Sequence, residues 1–269
     1  MAAEDSVGRA ASGCIFCGNR PLTKEHIFPR WLAKILTAEV VGSHVSSIRT
    51  QRSVAGGSSV QEWPAADVAS FVARVVCGEC NRGWMSEMEA QAQSVLETMV
   101  RGEKTTLMPV NQLDLAAWTT LKSYIVEYAL GDEIVAADVD RRSLMSAGHP
   151  SAGVPVRIGA IQRSGIPNSI TRCVYNVGRE GRREGLAACT TFALGCVVLQ
   201  ACHGLGVTID WTTTGSRPRA DHLPVNPPCP GDVQWPPTTV LDASSLHEWE
   251  RPIPATDPGG ISEADPEVP

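Results

Sequence analysis

Hydrophobic positions that recur at helical spacing predict three helices in the first half of the chain. The first follows Pro29, a residue that favours the opening turn of a helix. The second runs from Trp84 to Gly102, because glycine commonly ends helices. The third begins at Asp114, which has the character of an N-cap, and ends at Gly131.

Short runs rich in β-branched residues predict strands. Residues 71–76 form one such run, which leads into Cys77. The Ser- and Gly-rich residues 42–59 predict a loop. Beyond Pro150, turn residues separate four further runs, at 154–161, 170–177, 189–200 and 207–211. The chain is therefore predicted to be α+β, with a mainly antiparallel sheet in its second half.

These elements divide the chain into four predicted segments. Residues 1–12 are a flexible N-terminus, and residues 13–104 form a metal-binding module. Residues 105–251 form an α+β domain to which no motif assigns a role. Residues 252–269 are rich in proline, glycine and acidic side chains and are predicted to be disordered.

Composition narrows the range of partners and compartments. The formal net charge of −6 argues against bulk electrostatic binding of nucleic acid, so DNA would be met by a local basic patch. No apolar stretch approaches the roughly 20 residues that span a bilayer, and no membrane contact is expected. The polar N-terminus lacks the apolar core of a secretion signal. An odd total of nine cysteines then favours a cytoplasmic protein with zinc and free thiols over a disulfide framework.

Two Cys-x-x-Cys pairs are the clearest candidate site. Cys14 with Cys17 and Cys77 with Cys80 have the spacing of zinc ligands, and four thiolates complete a closed tetrahedral site. A structural zinc of this kind takes no part in catalysis, but it holds the other residues of its ligand loops in fixed positions. The alternative is four buried free thiols.

Side chains with the chemistry of a hydrolytic metal centre lie beside these pairs. Glu25 and His26 are adjacent, and Asn81 directly follows Cys80. Hard ions such as Mg²⁺ prefer oxygen ligands, which Glu and Asn provide, and a neutral imidazole can accept a proton from water. Because neighbouring residues on a strand point to opposite faces, both members of the dipeptide can serve one site only if the strand bends or bulges.

The order Cys-x-x-Cys, Glu25-His26 with Pro29, and Cys-x-x-Cys-Asn resembles the HNH endonuclease superfamily, which has a ββα-metal fold. It is most similar to the four-cysteine zinc type, represented by phage recombination endonuclease VII, over residues 14–89. The resemblance implies hydrolysis of DNA phosphodiester bonds. It also implies that Glu25 and Asn81 hold a catalytic Mg²⁺ or Mn²⁺ and that His26 is the general base.

Further residues near the motif extend the predicted site. Glu89, on the helix after Asn81, is a candidate for another oxygen ligand to the catalytic ion. Lys24, Arg30 and Arg82 are candidates for contacts with DNA phosphates. The alternative for these three is ordinary surface charge.

The sequence departs from the family pattern at the Asn expected before the second cysteine pair, where Asp67 or Ser70 is the candidate replacement. A slow or inactive nuclease is therefore one alternative. A second is a zinc-finger-like module that binds nucleic acid or protein without cutting, and a third is a zinc fold that only supports the sheet.

The other cysteines match no zinc spacing. Cys189, Cys196 and Cys202 fall in an apolar run that ends at His203, where buried thiols are expected to act as small hydrophobic side chains. Cys173 and Cys229 are interpreted in the same way.

Overall fold

The structure is a computed structural model that describes residues 12–39, 46–54, 57–65, 71–130, 133–162, 168–179, 182–207, 209 and 223–250. In these residues the chain is mixed α+β with a mainly antiparallel sheet, as predicted. None of the helices in the described ranges is long and apolar enough to cross a membrane. The predicted tail and all but residue 12 of the predicted N-terminal segment lie outside the described residues.

The described residues contain six helices. The helix predicted after Pro29 is confirmed, and so is the helix predicted from Trp84, which ends where Gly102 adopts a φ of +77°. The helices are α1 Arg30–Glu39, α2 Gly78–Arg82, α3 Trp84–Arg101, α4 Pro109–Leu130, α5 Asp138–Ala147 and α6 Ala243–Trp249.

The strands form one large sheet and two ribbons of two strands. They are β1 Leu22–His26, β2 Ser46–Val54, β3 Gly57–Ala65, β4 Val72–Cys77, β5 Thr105–Leu107, β6 Val156–Ile161, β7 Ser169–Arg179, β8 Arg182–Leu194, β9 Val197–Leu205, β10 Leu223–Asn226, β11 Val233–Trp235 and β12 Val240–Leu241. The large sheet has the order β10-β6-β9-β8-β7-β2-β3, and β12 also pairs with β6. The ribbons are β1–β4 and β5–β11, both antiparallel.

The loop predicted at residues 42–59 is a β-hairpin over all of its described part. β2 and β3 pair from Ser46 opposite Ala65 to Val54 opposite Gly57. β2 also pairs in parallel with β7, a strand far along the chain. The loop prediction was wrong because backbone pairing to a distant strand stabilises this polar segment, and residue propensity alone does not show such pairing.

The strand predicted at residues 189–200 is two strands. β8 and β9 form a hairpin that turns at Gly195 and Cys196, and Gly195 has a φ of +57°, in the left-handed region that favours glycine. The backbone N–H of Cys196 donates to the carbonyl of Val100, at 3.0 Å. The hairpin turn therefore lies directly against the last turn of α3. Of the predicted strand at 207–211, residues 208, 210 and 211 lie outside the described part.

Cys189 and Cys202 lie opposite each other on β8 and β9, with Cα atoms 4.1 Å apart, and they form a disulfide. The expectation of free thiols at these two positions is therefore wrong, because a cross-strand partner has no sequence spacing of its own. Cys173, opposite Cys189 on β7, is a buried thiol as expected. Burial, followed by the nearby carboxylate of Glu250, raises its pKa to about 12.

The central element is α4, in which every residue from 115 to 127 is buried. It lies between the N-terminal elements on one side and the sheet on the other. Its predicted start at Asp114 is wrong, because the helix begins at Pro109, where a missing backbone N–H costs nothing. Asn111 accepts a hydrogen bond from the N–H of Met108 and so closes this first turn, at 3.1 Å. The predicted end at Gly131 falls outside the described residues.

One hydrophobic core extends across the predicted boundary at residue 104. The ring of Phe28 lies 6.5 Å from that of Phe192 on β8, and the ring of Phe16 lies 6.5 Å from that of Tyr124 on α4. The N-terminal elements are thus packed against the helix and the sheet. The division of the chain into two domains stays a prediction.

Candidate metal centre

The four predicted zinc ligands lie together. Cys14 and Cys17 belong to the loop before β1, Cys77 ends β4, and Cys80 lies in α2, and their Sγ atoms are all within 4.8 Å of one another. The Sγ of Cys17 is 3.5 Å from those of Cys77 and Cys80. Zinc–sulfur bonds of 2.3 Å in a tetrahedron place sulfurs roughly 3.8 Å apart, so the cluster fits a structural zinc.

The surroundings of the cluster act in opposite directions on its thiols. Burial raises the pKa values of the Cys17 and Cys80 thiols. Burial acts in the same direction on Cys14, but hydrogen bonds to its sulfur from the backbone N–H groups of Cys17 and Cys77 outweigh it and lower its pKa. A metal ion among the sulfurs would favour the thiolate form at all four, since ligation requires deprotonation.

Backbone hydrogen bonds also connect the two cysteine loops. The N–H of Ile15 donates to the carbonyl of Val75 on β4, at 3.0 Å. β1 and β4 pair from Leu22 opposite Cys77 to His26 opposite Val72. We refer to residues 13–26 and 72–82 as the cysteine corner.

Asn81 fastens α2 to β1 immediately before the Glu25-His26 dipeptide. Its side-chain nitrogen donates to the hydroxyl of Thr23, at 3.2 Å, and to the carbonyl of Lys24, at 3.3 Å. The pairing register of β1 shifts between Thr23 and Glu25, which is the irregularity that the predicted site requires. The structure therefore places Asn81 and the dipeptide in one corner. The side-chain oxygen of Asn81 makes no hydrogen bond to a described residue.

Glu25 is buried and forms an ion pair that no sequence spacing indicates. The Nζ of Lys122 on α4 lies 2.7 Å from Oε1 of Glu25 and 2.5 Å from Oε1 of Glu89 on α3. Burial alone would lower the pKa of Lys122, but the two carboxylates outweigh it and raise the pKa, which keeps the ammonium charged. Glu89 thus lies near Glu25, with a lysine between them; its predicted role as a ligand to the catalytic ion stays a prediction. The second oxygen of Glu25 makes no hydrogen bond to a described residue.

His26 is half-buried at the end of β1, whereas Glu25 beside it is only 6% exposed. The carbonyl of His26 accepts a hydrogen bond from Nζ of Lys122, at 3.1 Å. Its imidazole makes no hydrogen bond or ion pair with any residue in the described ranges. The ring is therefore available to a ligand or to water.

The candidate phosphate contacts are all on the surface of this region. Lys24, Arg30 and Arg82 are exposed, and they lie on β1, at the start of α1 and at the end of α2. Asp67 and Ser70, the candidate replacements for the missing family Asn, lie outside the described residues.

Lys122 could have been noticed in the sequence, although its partners could not. It is the only charged residue between Asp114 and Glu127, in a segment whose other residues suit a buried helix. A lone lysine in such a segment requires a buried acidic partner. Glu25 lies 97 positions away, so sequence spacing does not identify it.

A second buried polar group lies where α4 meets the sheet. The Nε2 of His203 on β9 is 2.7 Å from the hydroxyl of Ser123, and Arg172 on β7 pairs with Glu127 at 2.8 Å. Burial, followed by the positive charges of Arg172 and Arg141, lowers the pKa of His203 to about 3. The imidazole is therefore neutral at physiological pH and acts as part of the packing.

A cavity of about 330 Å³ lies on the outer side of the first cysteine loop, against α5. Arg141 lines it, donates from Nε to the carbonyl of Ile15 at 2.9 Å and places its guanidinium 5.0 Å from the ring centre of Tyr128. Asp138 also pairs with Arg141. These contacts fasten α5 to the cysteine loop.

No family model, no curated protein and no solved structure matches this chain.

Proposed function

We propose that the protein is a metal-dependent endonuclease of the HNH type that hydrolyses DNA phosphodiester bonds. The observation that supports this most is the convergence in the cysteine corner. The four sulfurs lie within 4.8 Å of one another, and Asn81 bonds to the two residues that precede Glu25 and His26. A structural zinc would therefore fix a carboxylate, an imidazole and an amide in one place.

The proposed roles follow from the atoms that are not engaged in protein contacts. Glu25 and Asn81 each keep one side-chain oxygen without a hydrogen bond to a described residue, which suits ligation of Mg²⁺ or Mn²⁺. Such an ion would neutralise charge on the phosphate and on the departing 3′ oxygen. His26 accepts the proton of the attacking water as the water oxygen bonds to phosphorus and the bond from phosphorus to the 3′ oxygen breaks.

The test is plasmid cleavage with added Mg²⁺ or Mn²⁺ and with EDTA. The protein should nick DNA only with the divalent ion, and His26→Ala should lower the rate at least about 100-fold, since general bases typically contribute that much or more. His149→Ala, at an exposed histidine on another part of the chain, is the matched control and should cleave normally. Equal rates for the two variants, at equal zinc content, would remove His26 from the mechanism.

A second candidate function is a zinc-stabilised module that binds nucleic acid or protein without cutting. The ion pair of Lys122 with Glu25 and Glu89 favours it, because the ammonium already offsets part of the negative charge that would hold the catalytic ion. In that case the protein binds DNA but leaves it intact with every divalent ion. Replacing Lys24, Arg30 and Arg82 by Ala would then weaken binding and reduce its salt dependence.

A further inference from the structure

We infer that Lys122 is a positioning residue that sets both the orientation of Glu25 and its affinity for a divalent ion. The inference rests on the proposed function and assigns to that site a residue of α4, outside the metal-binding motif. Its basis is the contact of a single buried ammonium with the side chain of Glu25, the carbonyl of His26 and the side chain of Glu89.

The contacts join three separate elements at the dipeptide. Lys122 has no exposed surface, and the side chains of Glu25 and Glu89 are 8% and 23% exposed. The lysine holds Glu25 through one carboxylate oxygen and β1 through the carbonyl of the next residue. Both members of the dipeptide are thus fixed by one group, while the other oxygen of Glu25 and the imidazole of His26 stay available.

An ion pair of this kind is expected to do more than stabilise the fold. A buried pair of charges is weak evidence for stability, because desolvation offsets most of the attraction. Hydrogen-bonded partners of metal-ligating carboxylates do, however, orient the ligands and tune the metal. Lys122 lies where such a partner of Glu25 is required.

The charge of Lys122 has a second effect. Its contact positions Glu25 for catalysis, but its positive charge weakens binding of the divalent ion. A positive charge 2.7 Å from Glu25 repels a divalent cation that approaches the same carboxylate. Removing that charge would leave two carboxylates and a carbonyl, which is an oxygen cluster that suits Mn²⁺. Affinity for the ion should therefore rise when the geometry for catalysis is lost.

The experiment compares Lys122→Met, Lys122→Arg and Glu89→Gln with the unaltered protein, and Lys104→Met at an exposed lysine is the matched control. Mn²⁺ affinity is measured by electron paramagnetic resonance on zinc-loaded protein, and the cleavage rate is measured at saturating Mn²⁺. Circular dichroism and zinc content establish that each variant is folded.

Lys122→Met should bind Mn²⁺ at least about 10-fold more tightly and cleave at least about 10-fold more slowly at saturation, and Lys122→Arg should restore both values in part. Glu89→Gln removes one neutralising carboxylate, so it should weaken Mn²⁺ binding. This second variant keeps the ammonium paired with Glu25, and it tests the inference even if Lys122→Met does not fold.

Unchanged Mn²⁺ affinity in Glu89→Gln, or an unchanged saturating rate in folded Lys122→Met, overturns the inference. If the unaltered protein does not cleave DNA, the proposed function fails separately. Opposite shifts of Mn²⁺ affinity in Lys122→Met and Glu89→Gln would still support the control of Glu25 by Lys122.

Discussion

Cys80 lies where the chain passes from β4 into α2, and its sulfur is 3.5 Å from that of Cys17 in the other cysteine loop. A zinc ion at this point would join two segments that are more than 60 residues apart. Binding of a structural zinc ion contributes directly to folding, because the unfolded chain has no preformed site. The cluster is therefore expected to stabilise the whole cysteine corner.

The unaltered protein is predicted to bind zinc at the cluster, and Cys80→Ser is predicted to lose that zinc and to have a free energy of unfolding lower by roughly 3 kcal/mol or more. Elemental analysis and thermal unfolding measure the two effects. Cys229→Ser is the control, because Cys229 is a half-buried thiol outside the cluster. The structural role of the cluster would be contradicted if Cys80→Ser kept zinc, or if both variants lost it.

His203 is buried as a neutral imidazole. The hydroxyl of Ser123 donates to the carbonyl of Thr120, so it accepts from Nε2–H of His203. Nδ1 then has no hydrogen-bond partner in the described residues, and a proton there would be buried without an acceptor. Because the pKa is about 3 in the folded chain and about 6.5 when unfolded, the unfolded chain binds more protons between these values.

The stabilising contribution of neutral His203 should be complete above about pH 6.5 and should decrease as pH falls toward 3. Between pH 8 and pH 5 the unaltered protein should lose about 2 kcal/mol more stability than His203→Gln. The loss accumulates over the roughly 1.5 pH units below the unfolded pKa of about 6.5, at about 1.36 kcal/mol per unit. Urea unfolding at both pH values measures the difference, with His149→Gln as the control. Parallel loss in all three proteins would show that His203 does not control acid sensitivity.

For single residues, the sequence predicted which side chains lie together where their partners are local or follow a fixed spacing. The four cysteines and Asn81 lie together as their spacing predicted. Lys122 was missed because its partners lie far along the chain. The disulfide between Cys189 and Cys202 was missed because their opposition depends on the register of β8 and β9.

Among the elements, α3 and the β8–β9 hairpin approach each other closely at Gly195. A Cβ atom on Gly195 would lie 2.4 Å from the carbonyl oxygen of Val100 and 2.9 Å from its Cγ1. A non-glycine residue would also be strained at a φ of +57°. This position therefore requires glycine for two separate reasons.

Gly195→Ala is predicted to cost at least about 2 kcal/mol more than Gly148→Ala. Gly148 is a matched control because its φ is +73° and an added Cβ would meet nothing within 4 Å, so that only backbone strain is introduced. The comparison is made by urea unfolding. Equal losses would mean that the hairpin turn does not pack tightly on α3.

Helices and strands could be predicted where the pattern of their own side chains marks them. The apolar stripe of α3 and the glycine at its end gave its bounds, and runs rich in β-branched residues gave β6 and β7. The hairpin of β2 and β3 was missed because its polar residues are held by pairing with β7. The start of α4 was misplaced because Asp114 suits an N-cap, while Pro109 begins the helix.

In the molecule as a whole, α4 connects the cysteine corner to the sheet. Lys122 contacts Glu25 in the corner, and Ser123 contacts His203 in the sheet. The α+β class could be predicted from helical spacing in the first half of the chain and from short β-branched runs in the second half. The position of α4 between the cysteine corner and the sheet could not be predicted, because it depends on buried polar partners that lie far apart in the sequence.

The most direct measurement is anomalous X-ray scattering from crystals of the unaltered protein soaked in Mn²⁺, at the zinc and manganese edges. We expect a zinc peak among the four cysteine sulfurs and a separate manganese peak. The manganese should lie roughly 2.1 Å from one oxygen each of Glu25 and Asn81, which is near the distance for such hard ions. A zinc peak alone, with Glu25 bound only by Lys122, would contradict the proposed metal-dependent nuclease.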